Sequence, residues 1–471
     1  MPLVAGVDSS TQSTKVEIRD AETGALVGSG HAPHPAVRPP TSEQEPAAWW
    51  AAFESAWSCA TAEVGAAPVE AISVAGQQHG MVVLDAEGEV IRPAKLWNDT
   101  TTAPDADWLA GQLPGGAAGW AQACGSVPTA AFTIAKLSWL HRSEPEHWAR
   151  LARVCLPHDW LTLQLSGAFV TDRGDASGTG YWSPHDGRYR YDLLAIVDGG
   201  HNWNDALPAV CDPIDIVGEW NGTLVGPGTG DNMAAALGIG IGPGELAISI
   251  GTSGTVFTVS DAPTADPWGA VAGFADATGR FLPLVCTLNA AKVTDAVGRL
   301  LGAKHDKLDA LALAADPGAG GLVLLPYLDG ERTPNRPDAT GVLTGLRSDV
   351  TRQQLARAAF EGVVCGLLDG RDALGHHTRI DGDVIRLIGG GARSAAYRQV
   401  LADLSGCAVV TTDLDEAVAT GACVQAAAVW HRRAPEDVRD AWTIGTETIT
   451  EPSAAAVARD DVRAAYAAVR D

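Results

Sequence analysis

The stretch that decides the fold is Val4-Ala-Gly-Val-Asp-Ser-Ser-Thr-Gln-Ser-Thr-Lys-Val-Glu-Ile-Arg19. It begins with an apolar run and ends with alternating apolar and polar side chains, and a turn of hydroxyl and amide side chains separates the two. This pattern predicts two strands joined in a hairpin with a polar tip. The same pattern returns at 247–259, where Ala247–Gly251 and Thr255–Val259 flank a turn of small residues. The repetition indicates a structural duplication, with one hairpin in each half of the chain.

The segments outside the hairpins fit an α/β protein. Apolar runs predict strands at 71–75, 81–85, 322–326 and 384–388, and longer periodic runs predict helices at 355–374, from about 395 to 404, and at 454–470. Polypeptides of this length commonly form two to three domains. No Ser/Pro-rich linker separates the halves, so we expect two closely packed domains, residues 1–237 and 238–471, on either side of a central cleft.

Composition and charge restrict the possible partners. The 471 residues are 46% hydrophobic and carry a net charge of −24, so we expect no nucleic-acid or anionic-membrane partner, since both require basic surfaces. The eight cysteines are scattered without a Cys-x-x-Cys pair, which favours reduced thiols in a cytoplasm. The first residues enter a strand pattern directly and no 18-residue apolar run occurs, so we expect neither a signal segment nor a membrane span.

The two hairpin tips are candidate phosphate sites. Backbone amides at a tight turn can hold phosphate oxygens. At the first tip Lys15 adds a positive charge, and Asp8 could coordinate Mg²⁺ directly or through water. The second tip is Gly251–Gly254. Either tip alone could be an ordinary polar turn, because Ser and Thr are common turn residues, but finding the same device twice favours the binding interpretation.

A third glycine-rich turn, Gly389-Gly-Gly-Ala-Arg-Ser394, lies between a predicted strand and a predicted helix. Three glycines allow the backbone to lie against a flat ligand such as adenine or ribose. The spacing matches neither the Rossmann nor the Walker pattern. The alternative is a simple strand-to-helix turn.

Two other segments are suited to binding a sugar. The loop Gln77-Gln78-His79 presents amides and an imidazole between two strands, and such groups discriminate strongly for hydroxyl-bearing ligands. Trp97 offers an aromatic face beside polar residues. An exposed hairpin turn and a core tryptophan are the alternative interpretations.

The candidate catalytic residue is Asp231, in the run Gly226-Pro-Gly-Thr-Gly-Asp-Asn-Met-Ala-Ala-Ala-Leu-Gly238. Glycines permit close backbone approach before it, and an apolar helix is predicted after it. A carboxylate held there could act as a general base toward a hydroxyl group. The alternative is an N-cap aspartate that only satisfies backbone donors.

Taken in order, these segments resemble the FGGY family of carbohydrate kinases, most closely its xylulose-phosphorylating members. The resemblance runs from about residue 4 to 430, and the segments that carry it are Gly6–Asp8, Val74–Gly80, Arg92–Asp99, Gly230–Asn232, Ser249–Gly254, Leu325–Pro334 and Ile388–Ser394.

The resemblance implies an α/β fold of two ribonuclease-H-like domains of the actin/hexokinase ATPase type. It implies transfer of a phosphoryl group from ATP, with Mg²⁺, to D-xylulose in a cytoplasmic homodimer. Asp231 matches the base and is a second candidate Mg²⁺ ligand after Asp8. Residues matching sugar contacts are Gln78, His79, Trp97, Asp231 and Asn232. Residues matching ATP contacts are Asp8, Thr11, Gln12, Ser13, Lys15, Gly251, Thr252, Ser253, Ala290, Gly390, Gly391 and Ala392.

Three alternatives stay open at this point. The chain could phosphorylate another pentulose or polyol, such as ribulose, gluconate or glycerol, although the Gln78-His79 pair is unlike the Arg-Glu pair of glycerol kinases. It could be an actin-like or chaperone-type ATPase, which would hydrolyse ATP without a sugar. It could be a catalytically silent sugar sensor, against which the presence of Asp8, Asp231 and Thr252 argues.

Overall fold

The computed structural model describes residues 1–65 and 67–471. Two compact units divide the chain. The first contains Met1–Gly240, Asp261–Leu282 and Leu414–Ile444, and the second contains Ile241–Ser260, Pro283–Asp413 and Gly445–Asp471. Each unit is therefore assembled from separate segments of sequence. The proposed division into residues 1–237 and 238–471 stays a prediction.

Elements are numbered along the whole chain. The strands of the first unit are β1 (Leu3–Ser9), β2 (Ser13–Asp20), β3 (Leu26–Pro33), β4 (Glu43–Gln44), β5 (Val69–Gly76), β6 (Val82–Leu84), β7 (Ala94–Lys95), β8 (Arg153–Cys155), β9 (Val170–Asp172), β10 (Trp182–Ser183), β11 (Arg188–Tyr189), β12 (Ala209–Cys211), β13 (Gly218–Trp220), β14 (Thr223–Val225), β15 (Thr229–Gly230) and, further along the chain, β18 (Ala272–Ala275). The strands of the second unit are β16 (Leu246–Ile250), β17 (Gly254–Thr258), β19 (Phe281–Thr287), β20 (Val323–Leu325), β21 (Val342–Thr344), β22 (Val384–Ile388), β23 (Ala408–Thr412) and β24 (Glu447–Thr450).

The helices follow the same numbering. Those of the first unit are α1 (Pro46–Val64), α2 (Ala103–Ala110), α3 (Ala117–Cys124), α4 (Thr133–Ser143), α5 (Pro145–Trp148), α6 (Pro157–Ser166), α7 (Arg173–Ala176), α8 (Tyr191–Asp198), α9 (Trp203–Ala206), α10 (Asp231–Ile239), α15 (Ala417–His431) and α16 (Pro435–Ala441). Those of the second unit are α11 (Ala291–Leu301), α12 (His305–Leu313), α13 (Arg352–Gly375), α14 (Ala395–Ser405) and α17 (Arg459–Arg470), with 3₁₀ turns at Ala319–Gly321, Gly390–Arg393 and Ala454–Ala458.

Both predicted hairpins are confirmed. β1 pairs antiparallel with β2, which places Asp8 opposite Lys15, and β16 pairs antiparallel with β17. The main sheet of the first unit runs in the order β3-β2-β1-β5-β14-β13, with antiparallel pairs at both ends and parallel pairs at β1–β5 and β5–β14.

The second unit repeats this topology. Its strands run in the order β19-β17-β16-β22-β23-β24, and the antiparallel and parallel pairs fall at the same places. The duplication predicted from the hairpins therefore extends to six strands of each sheet.

The first sheet carries helices on both faces. Leu3, Ala5 and Val7 join a buried cluster with Trp49 of α1 and Trp160 of α6. On the other face a Cβ atom at Gly6 would collide with the backbone of α15. Because successive side chains of a strand point to opposite faces, one apolar strand serves both layers. Among the described residues, no helix is both long and apolar enough to cross a membrane.

Candidate active site

The first hairpin tip holds a charged triad in the first unit. Asp8 is buried, and its Oδ2 lies 3.7 Å from Nζ of Lys15. The same Nζ lies 2.5 Å from Oε2 of Glu416, which precedes α15. Burial raises the pKa of Asp8 to about 6, and the negative charge of Glu416 adds to this while Lys15 opposes it. The triad therefore keeps a cation and a protonatable carboxyl group side by side at the end of the hairpin.

The turn of this hairpin is closed by its own hydroxyl group and backbone. Both the backbone N–H and the hydroxyl of Ser10 donate to the carbonyl of Ser13, at 3.0 Å each. The carbonyl of Gln12 accepts from the backbone N–H of His34 at 2.7 Å. These bonds fix the loop in which Thr11, Gln12 and Ser13 lie.

Asp231 is the first residue of α10, and Gly230 occupies the N-cap position in an extended conformation. Oδ1 of Asp231 accepts a bond from Nδ2 of Asn232 at 2.9 Å, and Asp231 itself is half-buried. The N-cap interpretation of Asp231 is therefore wrong by one position, because glycine takes the cap. The carboxylate is not needed to close the helix.

The environment of Asp231 changes its acidity. Burial raises the pKa of Asp231 to about 7, with further raising contributions from the negative charges of Asp8 and Asp175, while hydrogen bonds from Asn232 lower it. A carboxyl group tuned toward neutral pH is suited to accept a proton from a hydroxyl group.

The amide of Gln78 lies beside Asp231. Nδ2 of Asn232 donates to Oε1 of Gln78 at 2.8 Å, so that Gln78, Asn232 and Asp231 form one connected group. A Cβ atom at Gly230 would come within 2.8 Å of Cγ of Gln78, so only glycine permits this approach. Within the described part of the chain, the buried Nε2 of Gln78 has no hydrogen-bond partner.

His79 lies in the same loop with a positive φ of 65°. Its Nδ1 donates to the carbonyl of Gly178 at 2.7 Å, and its ring stacks on Phe132 at a centroid distance of 5.0 Å. The imidazole therefore has a fixed orientation.

Trp97 contacts the hairpin tip. Its indole Nε1–H donates to Oγ1 of Thr11 at 3.0 Å, and that hydroxyl donates in turn to Oε1 of Gln77 at 2.9 Å. Trp97 thus joins the hairpin to the Gln77–His79 loop, which supports a place for it in the same site.

The second unit contains a cavity of about 640 Å³ lined by both of its glycine-rich turns. Gly251 and Thr252 contribute from the hairpin tip, and Gly390 and Gly391 contribute from the turn after β22. Small-molecule sites commonly occupy about 300–1,000 Å³. A Cβ atom at Gly390 would meet nothing within 4 Å, so its backbone faces open space.

The remaining predicted ATP contacts lie in these turns or beside them. The backbone N–H of Gly251 donates to the carbonyl of Ser253, and the N–H of Ala290 donates to the carbonyl of Thr252. The carbonyl of Ala392 accepts from Arg398 at 2.8 Å. Phe360 and Tyr397 also line the cavity, which therefore combines apolar faces with polar turns, as a nucleoside requires.

The residues fit a magnesium ion that is held mainly by its substrate. Among residues 1–65 and 67–471, no cluster of three or more His, Cys, Asp or Glu side chains is arranged as a metal site. Mg²⁺ usually keeps several waters and is bound through one or two carboxylates and substrate phosphates. Asp8 at the hairpin tip matches that sparse protein contribution.

Sequence reasoning missed two features of this unit. Glu416 is far from Lys15 in sequence, and no local pattern marks it. A buried group formed by His158, Asp159, Asp172 and Asp175 also went unnoticed. The Asp-x-x-Asp spacing at 172–175, typical of a helix start, was the available signal.

Comparisons with known proteins agree with the geometry. Residues 3–238 match the N-terminal domain of the FGGY family of carbohydrate kinases, and residues 246–430 match its C-terminal domain. The chain is 46% identical to a xylulose kinase of Streptomyces rubiginosus, over 98% of this chain and 94% of that one. It is 33% identical to a xylulose kinase of Haemophilus influenzae, over 89% of each chain. The crystal structure of xylulose kinase from Bifidobacterium adolescentis superposes with a TM-score of 0.86 at 40% identity, covering 100% of this chain and 99% of that one.

Proposed function

The chain belongs to the FGGY family of carbohydrate kinases, and from that premise we propose that it transfers the terminal phosphoryl group of ATP to D-xylulose, forming D-xylulose 5-phosphate. Relatives called xylulose kinases align over nearly its whole length, which supports this substrate. The observation that carries the proposal is the connected group of Asp231, Asn232 and Gln78 at the start of α10.

Asp231 acts as the general base. Phosphoryl transfer requires little covalent catalysis by the protein. It depends on alignment of the reactants, neutralisation of phosphate charge and an oriented nucleophile. The carboxylate of Asp231 accepts the proton of the sugar hydroxyl as that oxygen attacks. Asn232 holds Oδ1 of Asp231 through its amide, which leaves Oδ2 for the substrate.

Gln78, His79 and Trp97 recognise the sugar. A buried polar atom without a partner is costly, and a sugar hydroxyl would satisfy Nε2 of Gln78. The imidazole of His79 is held in one orientation by Gly178 through Nδ1, next to Gln78 in the same loop. A polyol satisfies these groups, and an apolar molecule of similar size does not.

The first hairpin tip serves the phosphates. Lys15 supplies positive charge, and Thr11, Gln12 and Ser13 form the turn whose backbone meets phosphate oxygens. Asp8 would hold Mg²⁺, with Asp231 as a second candidate ligand. When bound, the ion neutralises charge on the phosphates.

The cavity of the second unit binds the nucleoside part of ATP. Gly251, Thr252 and Ser253 are the second phosphate turn, with Ala290 bonded to it. Gly390, Gly391 and Ala392 lie against the adenosine. The open space at Gly390 and the ring faces of Phe360 and Tyr397 support this assignment.

The proposal extends to the compartment and the assembly. All eight cysteines are free, which supports a reducing compartment such as the cytoplasm. A homodimer is proposed from the family resemblance alone, and light scattering coupled to gel filtration tests it.

A coupled assay of ATP consumption tests the function across a panel of ketoses, alditols and aldonates. We expect D-xylulose to give the highest kcat/KM and the no-sugar rate to be far lower. A preference for ribulose, gluconate or glycerol would establish the alternative sugar kinase. A sugar-independent rate equal to the best rate would indicate an ATPase.

Replacement of Asp231 by Asn tests the base. General-base catalysis typically contributes about 10²–10⁴-fold, so we expect kcat to fall by that range while ATP binding, measured by calorimetry, changes less than about twofold. The exposed Asp107 of α2 supplies the control, and Asp107→Asn should keep full activity. Normal turnover in Asp231→Asn would remove Asp231 from the mechanism.

A further inference from the structure

A fully buried ion cluster lies in the first unit next to the sugar residues. Nδ1 of His158 in α6 is 2.9 Å from Oδ2 of Asp175, and its Nε2 is 3.2 Å from Oδ1 of Asp159 and 3.6 Å from Oδ1 of Asp172. Burial lowers the pKa of His158, but the three carboxylates outweigh it and raise the pKa to about 9. The three carboxylates therefore favour the protonated form of His158, and burial also raises the pKa of Asp159 to about 7. Burying a group of ionisable side chains costs desolvation free energy. We therefore expect the cluster to have a function besides packing.

One arm of the cluster reaches the strand that leads into Asp231. Oδ2 of Asp172 accepts a hydrogen bond from Oγ1 of Thr229 at 2.8 Å. The two carboxylate oxygens of Asp172 also accept from the backbone N–H groups of Gly174 and Asp175, at 2.8 and 2.9 Å. Thr229 stands two residues before Asp231, in β15.

The other arm reaches His79. The backbone carbonyl of Asp175 accepts from the N–H of Gly178 at 2.9 Å, and the carbonyl of Gly178 accepts from Nδ1 of His79 at 2.7 Å. The short helix α7, with Asp172 as its N-cap, therefore connects the cluster to the loop that carries His79 and Gln78.

His158 is also held sterically between the two strands involved. A Cβ atom at Gly76, the last residue of β5, would lie 2.9 Å from Cβ of His158. A Cβ atom at Gly228, immediately before β15, would lie 2.6 Å from Cδ2 of its ring. Because β15 pairs with β5, the imidazole lies under the paired strand ends from which the sugar residues emerge.

We propose that His158 and its three aspartates hold the sugar-contacting residues in position. The cluster fixes Asp231 through Thr229, and it fixes His79 through Gly178. The inference rests on the proposed function, since it concerns the residues assigned there to the sugar. None of the four is among the residues assigned to the sugar or to ATP, so we class them as positioning residues. A displacement of about 1 Å at a reacting group can cost about 10²-fold in rate.

Two substitutions at Thr229 form the decisive pair. Thr229→Val removes the hydroxyl bond to Asp172 and keeps the side-chain shape, whereas Thr229→Ser keeps the hydroxyl. We expect Thr229→Val to lower kcat/KM for the sugar at least tenfold, mainly through kcat, with KM for ATP changed less than about twofold. Thr229→Ser should stay within about threefold of the parent. A folded Thr229→Val enzyme with parental sugar kinetics would overturn the proposal.

His158→Gln extends the test to the centre of the cluster. It keeps a hydrogen-bond donor toward Asp175 and removes the charge, and we expect the same selective loss of sugar kinetics. Asp105→Asn is the matched control, because Asp105 is buried in the same unit and paired with Arg142 and Ser138. An equal kinetic loss in Asp105→Asn would mean that the cluster only stabilises the fold and does not position the sugar residues specifically. The Thr229 pair decides the proposal whether or not His158→Gln folds.

The outcomes separate this inference from the proposed function. If the preferred sugar is not xylulose, the Thr229 comparison is made with the sugar that is preferred. If Asp231→Asn keeps normal turnover, the base assignment fails while the selective effect at Thr229 is still measured on sugar KM and kcat.

Discussion

At Asp231 opposing effects act on one carboxyl group. Burial and the charges of Asp8 and Asp175 raise the pKa to about 7, and the hydrogen bonds from Asn232 reduce that rise without cancelling it. An ordinary exposed aspartate titrates near pH 4. The protein therefore holds this carboxyl group where a small change in its surroundings alters its protonation at neutral pH.

The raised pKa predicts a pH profile. The base must be deprotonated to accept a proton, so activity is lost as pH falls through the pKa of Asp231. We expect the acidic limb of kcat/KM for the sugar to lie near pH 7 rather than near pH 4, measured from pH 5 to 9 at saturating ATP. Because ATP is saturating, the limb in kcat/KM for the sugar reports the enzyme–ATP complex before the sugar binds.

The neighbours of Asp231 provide an internal check on this profile. Asp175→Asn removes a negative charge that raises the pKa of Asp231, so the limb should move to lower pH. Asp107→Asn changes an exposed residue of α2 and should leave the limb in place. A value of kcat/KM that stays constant down to pH 5 in the parent enzyme would contradict the assignment.

The sequence predicted some residues of the site and not others. Asp231, Gln78 and Asn232 stand in short local patterns, and the structure joins them through hydrogen bonds. His158 and Thr229 are 71 positions apart in the printed sequence, and a lone histidine or threonine has many uses. The structure connects them through Asp172, so no local pattern could reveal the link.

At the scale of elements, the two hairpins were predictable because alternation along a strand reports directly which face is buried. Helix α15 was not assignable in the same way. It is buried on almost every side, so it has no polar stripe to mark its partners. The close contact at Gly6 shows its place against β1.

Helices α10 and α15 meet through glycine. A Cβ atom at Gly421 of α15 would collide with the backbone carbonyl of Ala234 in α10, and one at Gly238 of α10 would collide with the carbonyl of Ala417. Backbone therefore touches backbone at this crossing. Since α10 begins with Asp231, the crossing also supports the position of the base.

Alanine substitution at two helical glycines tests that crossing. Alanine favours a helix over glycine by about 1 kcal/mol, yet we expect Gly421→Ala to lower the free energy of unfolding by about 1–3 kcal/mol because of overpacking. Gly375→Ala, at the open end of α13 with nothing within 4 Å, should be neutral or stabilising. Urea unfolding measures both, and stabilisation by Gly421→Ala would contradict the close contact.

At the scale of the whole molecule, the repeated hairpin was predictable from the sequence, whereas no local pattern indicates which separate segments make up each unit. The two hairpins indicated a structural duplication. The return of residues 414–444 to the first unit depends on the burial of an all-round apolar helix, which could equally have served the second unit.

Two truncations test the discontinuous first unit. Ending the chain after Ile444 keeps every segment of that unit, whereas ending it after Asp413 removes α15 and α16. We expect hydrogen exchange to show protected amides in β5 in the longer fragment and unprotected amides in the shorter one. Equal protection in both would mean that α15 is dispensable for the first sheet.

The late position of α15 has a consequence during synthesis on the ribosome. The first sheet emerges early, but the helix that covers one of its faces follows about two hundred residues after Gly240. At translation rates of about 5–20 residues per second, this face of the sheet stays uncovered for roughly 10–40 s before α15 is synthesised. During that interval the nascent chain exposes the apolar surface around Gly6, and we expect its yield to depend on chaperones that bind chains still being made.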